Sequence, residues 1–240
     1  MKRERIYGRQ SVLECLRARR RRAHRLYLLQ DARGVEAILE AAASVPLEQC
    51  GRRDLDRITD DGTHQGVVLE VDPLPVANAD SWDPSRLPQE AIVVVLDGVE
   101  DPHNFGAIAR SACAFGAHAL VFGKDRAAPL SAVACKSAAG ALEHLTLIQA
   151  TNLVRAIDRL KEADFWVYAL DADADNILWR VDLLKRVAIV IGAEGKGIRR
   201  LVREHCDAAV SIPLAGPIPS LNASTAAAIA LAEIVRQRSG

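Results

Sequence analysis

The sequence predicts an α/β protein in which a parallel sheet is covered by helices on both faces and a smaller α/β unit comes first. Three observations carry this. From residue 91 onward, short apolar runs alternate with helical patterns, as strand–helix–strand units require. Four of the ten prolines (Pro73, Pro75, Pro84 and Pro88) fall within residues 73–90 and separate that region from what precedes it. Charge also changes along the chain: residues 1–25 carry ten Lys/Arg against two Asp/Glu, and residues 26–75 carry four against ten. We divide the chain into a small domain (1–72), a Pro-rich linker (73–90) and a larger domain (91–240).

In the small domain, Val12, Leu13 and Leu16 recur at helical spacing within residues 10–18. Residues 26–29 (LYLL) read as a buried strand, 35–43 as a second helix and 64–71 (HQGVVLEV) as another strand. In the larger domain, AIVVVLDG at 91–98 is a strand running into a turn, and 105–115 is a helix. Residues 117–123 form a strand, 131–145 are mixed, 152–162 are a helix and 165–170 a strand. VAIVIGAEGKG at 187–197 is a strand entering a Gly-rich loop. A strand at 209–214 and a helix at 222–238 close the chain.

Composition excludes several classes. The 240 residues are 50% apolar and 26% charged, with 31 Lys/Arg balanced by 31 Asp/Glu, so this is no supercharged polycation. The longest aliphatic run, 91–96, is far short of the roughly 18–20 residues of a membrane helix. The first ten residues, MKRERIYGRQ, lack the apolar core of a secretory signal. Five scattered cysteines without a CxxC pair argue against a zinc ribbon or a disulfide framework and fit free thiols in a reducing cytoplasm. The six histidines show no HxxxH or similar spacing, so no metal site is expected.

Open α/β sheets bind ligands beyond the carboxyl ends of their strands, and three strand ends here carry unusual residues. At the first, LDGVEDPHNFG (96–106) leads into AIARSACAFGA. Asp101 or Asn104 reads as a helix cap, but Arg110 within a small, apolar helix does not fit that reading. At the second, VAIVIGAEGKGIRR (187–200) is neither a P-loop nor a dinucleotide fingerprint, since Arg200 stands where the last glycine belongs. Its glycines permit close backbone approach to a ligand, and Glu194 suits binding of hydroxyls or amines. At the third, IPLAGPIPSLNAST (212–225) offers Ser220, Asn222 and Ser224 where one cap needs one residue. The dense run Arg19, Arg20, Arg21 and Arg22 reads either as a solvated helix end or as a footprint for phosphate backbones.

In this order the three segments resemble the motifs of the SpoU (TrmH-like) branch of the SPOUT RNA methyltransferases. DPxNxGAIxRxAxAFG matches 101–116, GxEGxGxR matches 192–199 and IPxxGxxxSLNxS matches 212–224. Ala223 and Thr225 depart mildly from the pattern and leave its polar positions intact. IYGRQSVLECL and HQGVVLEV resemble the family's small RNA-binding domain, so the similarity spans nearly the whole chain.

The resemblance implies a SPOUT methyltransferase domain, a parallel sheet with a C-terminal trefoil knot, preceded by a small L7Ae-like RNA-binding domain. It implies S-adenosyl-L-methionine held at Gly192, Ile212 and Leu221. It assigns catalytic roles to Asn104, Arg110, Glu194 and Asn222, and RNA contacts to Ser220, Ser224 and the 19–22 arginines. It implies a cytoplasmic homodimer, with no membrane or metal partner, that methylates a ribose 2′-oxygen. The expected target is a guanosine of 23S ribosomal RNA, free or in a pre-50S particle. A transfer RNA or another ribosomal site is the alternative, and a non-catalytic assembly factor is the rival from another class. Arginine stays protonated in ordinary surroundings, so Arg110 is expected to orient a phosphate and stabilise an oxyanion. Proton acceptance by it remains an alternative.

Overall fold

A computed structural model describes residues 3–125 and 130–239. In the small domain, β1 (Glu4–Tyr7), α1 (Arg9–Ala18), β2 (Ala23–Leu29), α2 (Glu36–Ala41), β3 (Leu47–Cys50), α3 (Arg52–Ile58) and β4 (Val67–Val71) build a four-stranded sheet of order β1-β4-β2-β3. β4 runs antiparallel to β1 and β2, and β3 is parallel to β2. Successive side chains on a strand face opposite sides. Ile6, Leu26, Leu28 and Leu69 therefore pack with Val12, Leu16 and Ile38 of the helices. Tyr7, Tyr27 and Val68 pack on the other side with Leu55 of α3.

β1, β3 and α3 go beyond the sequence expectation. The two strands have four residues each, and all of β3 except Cys50 is exposed, so no apolar alternation marks it. α3 buries a single residue, Leu55. The last small-domain strand starts at Val67 rather than 64, because Gln65 and Gly66 take positive φ (55° and 83°) in a turn. His64 holds that turn: its Nδ1 accepts the Gly66 N–H at 3.0 Å, and its Nε2 lies 2.9 Å from Asp56 Oδ1.

The larger domain follows as β5 (Val76–Asn78), β6 (Ile92–Asp97), α4 (Pro102–Ala114), β7 (Ala119–Gly123), α5 (Ala132–Ser137), β8 (Thr146–Ala150), α6 (Leu153–Glu162), β9 (Trp166–Leu170), β10 (Asn176–Ile177), β11 (Val187–Gly192), α7 (Arg200–His205), β12 (Ala208–Ser211) and α8 (Ala223–Arg238). Its eight strands are all parallel, in the order β10-β12-β9-β11-β6-β7-β8-β5. β6 and β11 lie side by side near the centre, and every β6 residue is buried. Ile92, Val94, Leu96 and Ile189 pack with Phe105 and Ile108 of α4 and Leu231 and Ile234 of α8. Val93, Val95 and Val190 pack on the opposite face with Ile157 and Leu160 of α6 and Val202 of α7. Continuous β-branched runs are what a strand covered on both faces requires.

The 73–90 segment is not the linker expected from its prolines. Val76–Asn78 is an edge strand of the larger sheet, paired with β8. Pro84–Arg86 forms a 3₁₀ turn capped by Asp83. The buried Arg186 guanidinium donates to the carbonyls of Ser85 (3.0 Å), Leu87 and Pro88 (3.1 Å), and to Ala163 (2.8 Å) on the far side. Proline keeps this stretch out of long elements without releasing it from the core. No helix among the described residues is long and apolar enough to cross a membrane.

Replacing Arg186 with leucine strands these carbonyls. One unmet buried acceptor costs about 1–3 kcal/mol, so the unfolding free energy from a denaturant titration is expected to fall by at least about 2 kcal/mol. A change below about 0.5 kcal/mol would show that the segment is held by other contacts.

Candidate active site

The carboxyl ends of β6, β11 and β12 converge on one edge of the sheet. β6 ends at Asp97, whose carboxylate is fully buried. Its Oδ2 accepts the Arg199 backbone N–H at 2.8 Å, and its Oδ1 accepts the Arg199 Nε–H at 2.6 Å. One acid thus pins the far end of the loop that leaves β11. That loop also closes on itself: the Ala193 N–H donates to Gly197 O (3.1 Å), and the Gly197 N–H donates to Ala193 O (2.9 Å). Gly195 and Gly197 take positive φ, 73° and 63°. A Cβ on Gly192 would fall within 3.0 Å of Gly197 and Ile198 backbone atoms, so only glycine permits this closure.

α4 begins after a turn at Gly98. Asp101 is its cap, with Oδ1 accepting the His103 N–H at 3.0 Å, and Pro102 occupies the first turn. Asn104 is therefore not the cap, although the sequence allowed either. It is buried, and its Oδ1 accepts from the Asn222 Nδ2–H at 3.0 Å. Among Ser220, Asn222 and Ser224, Asn222 caps α8: its Oδ1 accepts the backbone N–H groups of Ser224 (2.8 Å) and Thr225 (3.3 Å). Ser224 Oγ donates to that same oxygen at 2.5 Å. The cap fixes the amide orientation and turns Nδ2 outward, where it also donates to Glu194 Oε1. Three motifs far apart in sequence thus meet through one side chain.

This junction borders a cleft of about 640 Å³ lined by Leu170, Ile191, Gly192, Glu194, Ile212, Leu214, Ser220, Leu221 and Asn222, among others. All three residues expected to hold the cofactor line it. Asn104 lines an adjoining hollow of about 180 Å³ that shares Glu194 and Lys196 with the cleft. The lining suits a nucleoside carrying a cationic tail: apolar side chains form its walls, the carboxylates of Glu194, Asp171 and Asp173 outnumber the one cation of the described lining, Lys196, and glycine backbone lies open at one side. Asp97, Lys196 and the Leu170–Asp173 wall go beyond the sequence reading. Asp97 did leave a signal, as an acid ending an apolar strand.

Arg110 is not brought into the cleft of its own chain. Six residues beyond Asn104, it is exposed on α4 beside the small residues Ala107 and Ala114. The arginine run also departs from the expectation of a continuous phosphate track. Arg21 is buried: its Nη1 donates to Glu4 Oε2 (3.1 Å), and its Nη2 pairs with Glu143. Arg20 Nη1 donates to the carbonyls of Leu145 (2.5 Å) and Glu143 (3.3 Å). Arg21 is thus corrected from an RNA contact to an internal ion pair, and Arg20 is engaged by main chain. Arg17, Arg19 and Arg22 remain as surface cations. Among the described residues, no cluster of three His, Cys, Asp or Glu is arranged to hold a metal.

Comparison with known proteins gives these positions a context. Residues 5–77 match the RNA 2′-O ribose methyltransferase substrate-binding family. A protein of Mycolicibacterium vanbaalenii described as an uncharacterized tRNA/rRNA methyltransferase is 43% identical, over 97% of this chain and 76% of that protein. The 23S rRNA (guanosine-2′-O-)-methyltransferase RlmB of Pseudomonas aeruginosa is 41% identical, over 98% of this chain and 97% of that one. The SpoU methyltransferase AviRb of Streptomyces viridochromogenes, solved with AdoMet, superposes with a TM-score of 0.84 at 25% identity, covering 99% of this chain and 92% of that one. Residues 91–232 match the SpoU rRNA Methylase family, and this chain belongs to it.

Proposed function

We propose that the chain is an S-adenosylmethionine-dependent RNA 2′-O-methyltransferase acting on a guanosine of 23S ribosomal RNA. The observation that carries the chemistry is the Asn222 amide, which ties Asn104 and Glu194 together at the mouth of the cleft. The end-to-end similarity to the Pseudomonas 23S enzyme supports the choice of RNA. The match of residues 5–77 to a substrate-binding family supports delivery of that RNA by the small domain.

Gly192, Ile212 and Leu221 would hold the cofactor, with their side chains or backbone bordering the cleft. When bound, S-adenosylmethionine supplies a methyl group already activated by its sulfonium charge. The protein is left to align, desolvate and take a proton from the ribose hydroxyl. Asn104 and Asn222 restrict where the reacting groups can sit, and Glu194 holds a hydroxyl or a guanidinium. Arg110 orients the neighbouring phosphate and stabilises the developing oxyanion.

Because Arg110 lies outside the cleft of its own chain, the proposal includes a homodimer in which α4 and the small-residue face of α8 (Ala228, Ala232) pack against a second copy. A knotted C-terminal region, Ser220 and Ser224 near the RNA, action on naked RNA or a pre-50S particle, and a cytoplasmic location complete the reading.

Methyl transfer from labelled S-adenosylmethionine to unmodified 23S ribosomal RNA is the direct test. Label is expected as 2′-O-methylguanosine, with Arg110→Ala slowing transfer by about 10²-fold or more at unchanged cofactor affinity. Label arriving only on transfer RNA would replace the ribosomal substrate. Binding of both ligands without transfer to any RNA would favour an assembly factor.

Asn222→Ala removes both the cap and the bridge. It is expected to weaken cofactor binding in calorimetry and to lower stability by about 0.5–2 kcal/mol.

Neutralising Arg17, Arg19 and Arg22 together is expected to reduce the slope of log K against log salt for RNA binding by about 2–3, at roughly 0.7–0.9 per phosphate contact. An unchanged slope would remove these arginines from the RNA interface.

A further inference from the structure

The small domain does not hang from the larger one by a tether. Its core and one face of the larger sheet form a single apolar cluster, running from Ile6 and Leu69 through Phe105 to Leu231. Within the contact sits the Arg21–Glu143 ion pair, with side chains 1% and 3% exposed. The same guanidinium donates to Glu4 on β1 and to the Asp72 carbonyl beyond β4 (3.3 Å), so one side chain ties two small-domain segments to the larger domain. Around it, Ser11 Oγ donates to Cys135 O (3.2 Å), and His144 Nε2 meets Glu14 Oε2 (2.9 Å).

These bonds converge on α5 and the 3₁₀ turn Ala141–Glu143, and α5 then passes the contact on. Ser137 Oγ donates to the His103 carbonyl at 2.9 Å. A Cβ on Gly106 would come within 3.0 Å of Ser137 and of Ala134 and Ala138 backbone atoms, so α4 and α5 touch without a gap. α4 is the helix that carries Asn104 and Arg110. α5 and the 3₁₀ turn that follows it thus lie between the small domain and the helix that carries these two residues.

Buried ion pairs are a weak source of stability, because apolar residues of similar volume do as well. This pair is also incompletely satisfied: Arg21 Nε and Glu143 Oε2 are buried without hydrogen-bond partners. What it adds is direction. Apolar surfaces slide on each other, whereas a guanidinium bonded to three segments allows one register.

We propose that Arg21, through Glu143, is a positioning residue for methyl transfer: it fixes the angle of the small domain on the 3₁₀ turn that follows α5, and so the place where a bound RNA meets Asn104. This rests on the methyltransferase reading above. The test is the double variant Arg21→Met with Glu143→Met, which fills the interface with apolar groups of comparable size. Two readouts are needed. One is the kcat for structured RNA beside the Kd values for RNA and cofactor. The other is the distance distribution between spin labels carried by non-canonical residues at Glu36 and Glu162, exposed positions on the two domains.

Positioning predicts a kcat lowered by about tenfold or more, given that a 1 Å misplacement costs roughly 10²-fold, with both Kd values held and the distribution broadened. An unchanged kcat with an equally narrow distribution would overturn it, whatever the melting temperature does. If the double variant does not fold, Arg20→Ala, which removes two bonds across the same boundary, is read in the same assays against the same two outcomes. A wild type that methylates no RNA would overturn the methyltransferase reading, and the label distances alone would then decide the docking.

Discussion

Asn222 caps α8 with its carbonyl oxygen, and this determines where its amide nitrogen points. An asparagine cap accepts two helix N–H groups, so the other end of the amide has no freedom to flip. That end meets Asn104 from α4 and Glu194 from the glycine loop. A serine cap at this position could satisfy α8 equally well, but it would leave Asn104 and Glu194 without a common partner. The cap couples the stability of the last helix to the geometry of the cleft, so the protein cannot loosen one and keep the other.

The parallel sheet explains why these parts meet at one edge. Every strand of a parallel sheet ends on the same side, so loops from β6, β11 and β12 gather there although nearly a hundred residues separate the first from the second. Burial on both faces makes the strands poor places for polar chemistry, and Asp97 shows how the exception is handled. It sits at the last position of a buried strand and is satisfied by two N–H groups of Arg199. The neighbouring loop needs that anchor, because its glycines otherwise leave it many conformations.

Much of this was legible in the residues, for a physical reason. Long apolar strands and the motifs at their ends combine composition and spacing, so β6, β9, β11, α6 and α8 came out within a few residues of their observed limits. β3 and α3 escaped notice because each buries one residue, and periodicity needs more than one point. The edge strand β5 hid among prolines, since a three-residue exposed strand has no pattern of its own. Caps illustrate a different limit. The sequence offered Asp101 or Asn104 for α4 and three candidates for α8, and only the backbone trace decides which oxygen faces the helix N–H groups.

The arginine run shows why charge in sequence is not charge on a surface. Arg19 adopts a left-handed backbone (φ 51°) at the end of α1, which reverses the chain so that neighbouring side chains leave in different directions. Arg21 then points into the domain contact while Arg22 stays outside. Burial alone would pull the Arg21 guanidinium down from its ordinary pKa, but the Glu143 carboxylate more than offsets this and holds it raised. The same surroundings push the Cys15 thiol up to about 12, burial first and Glu143 next. A guanidinium held charged in such a place is structural by construction: it cannot reach a phosphate without breaking the contact between the domains. Arg17, Arg19 and Arg22 are the cations that this run leaves on the surface, and the residue at its centre sets where they stand.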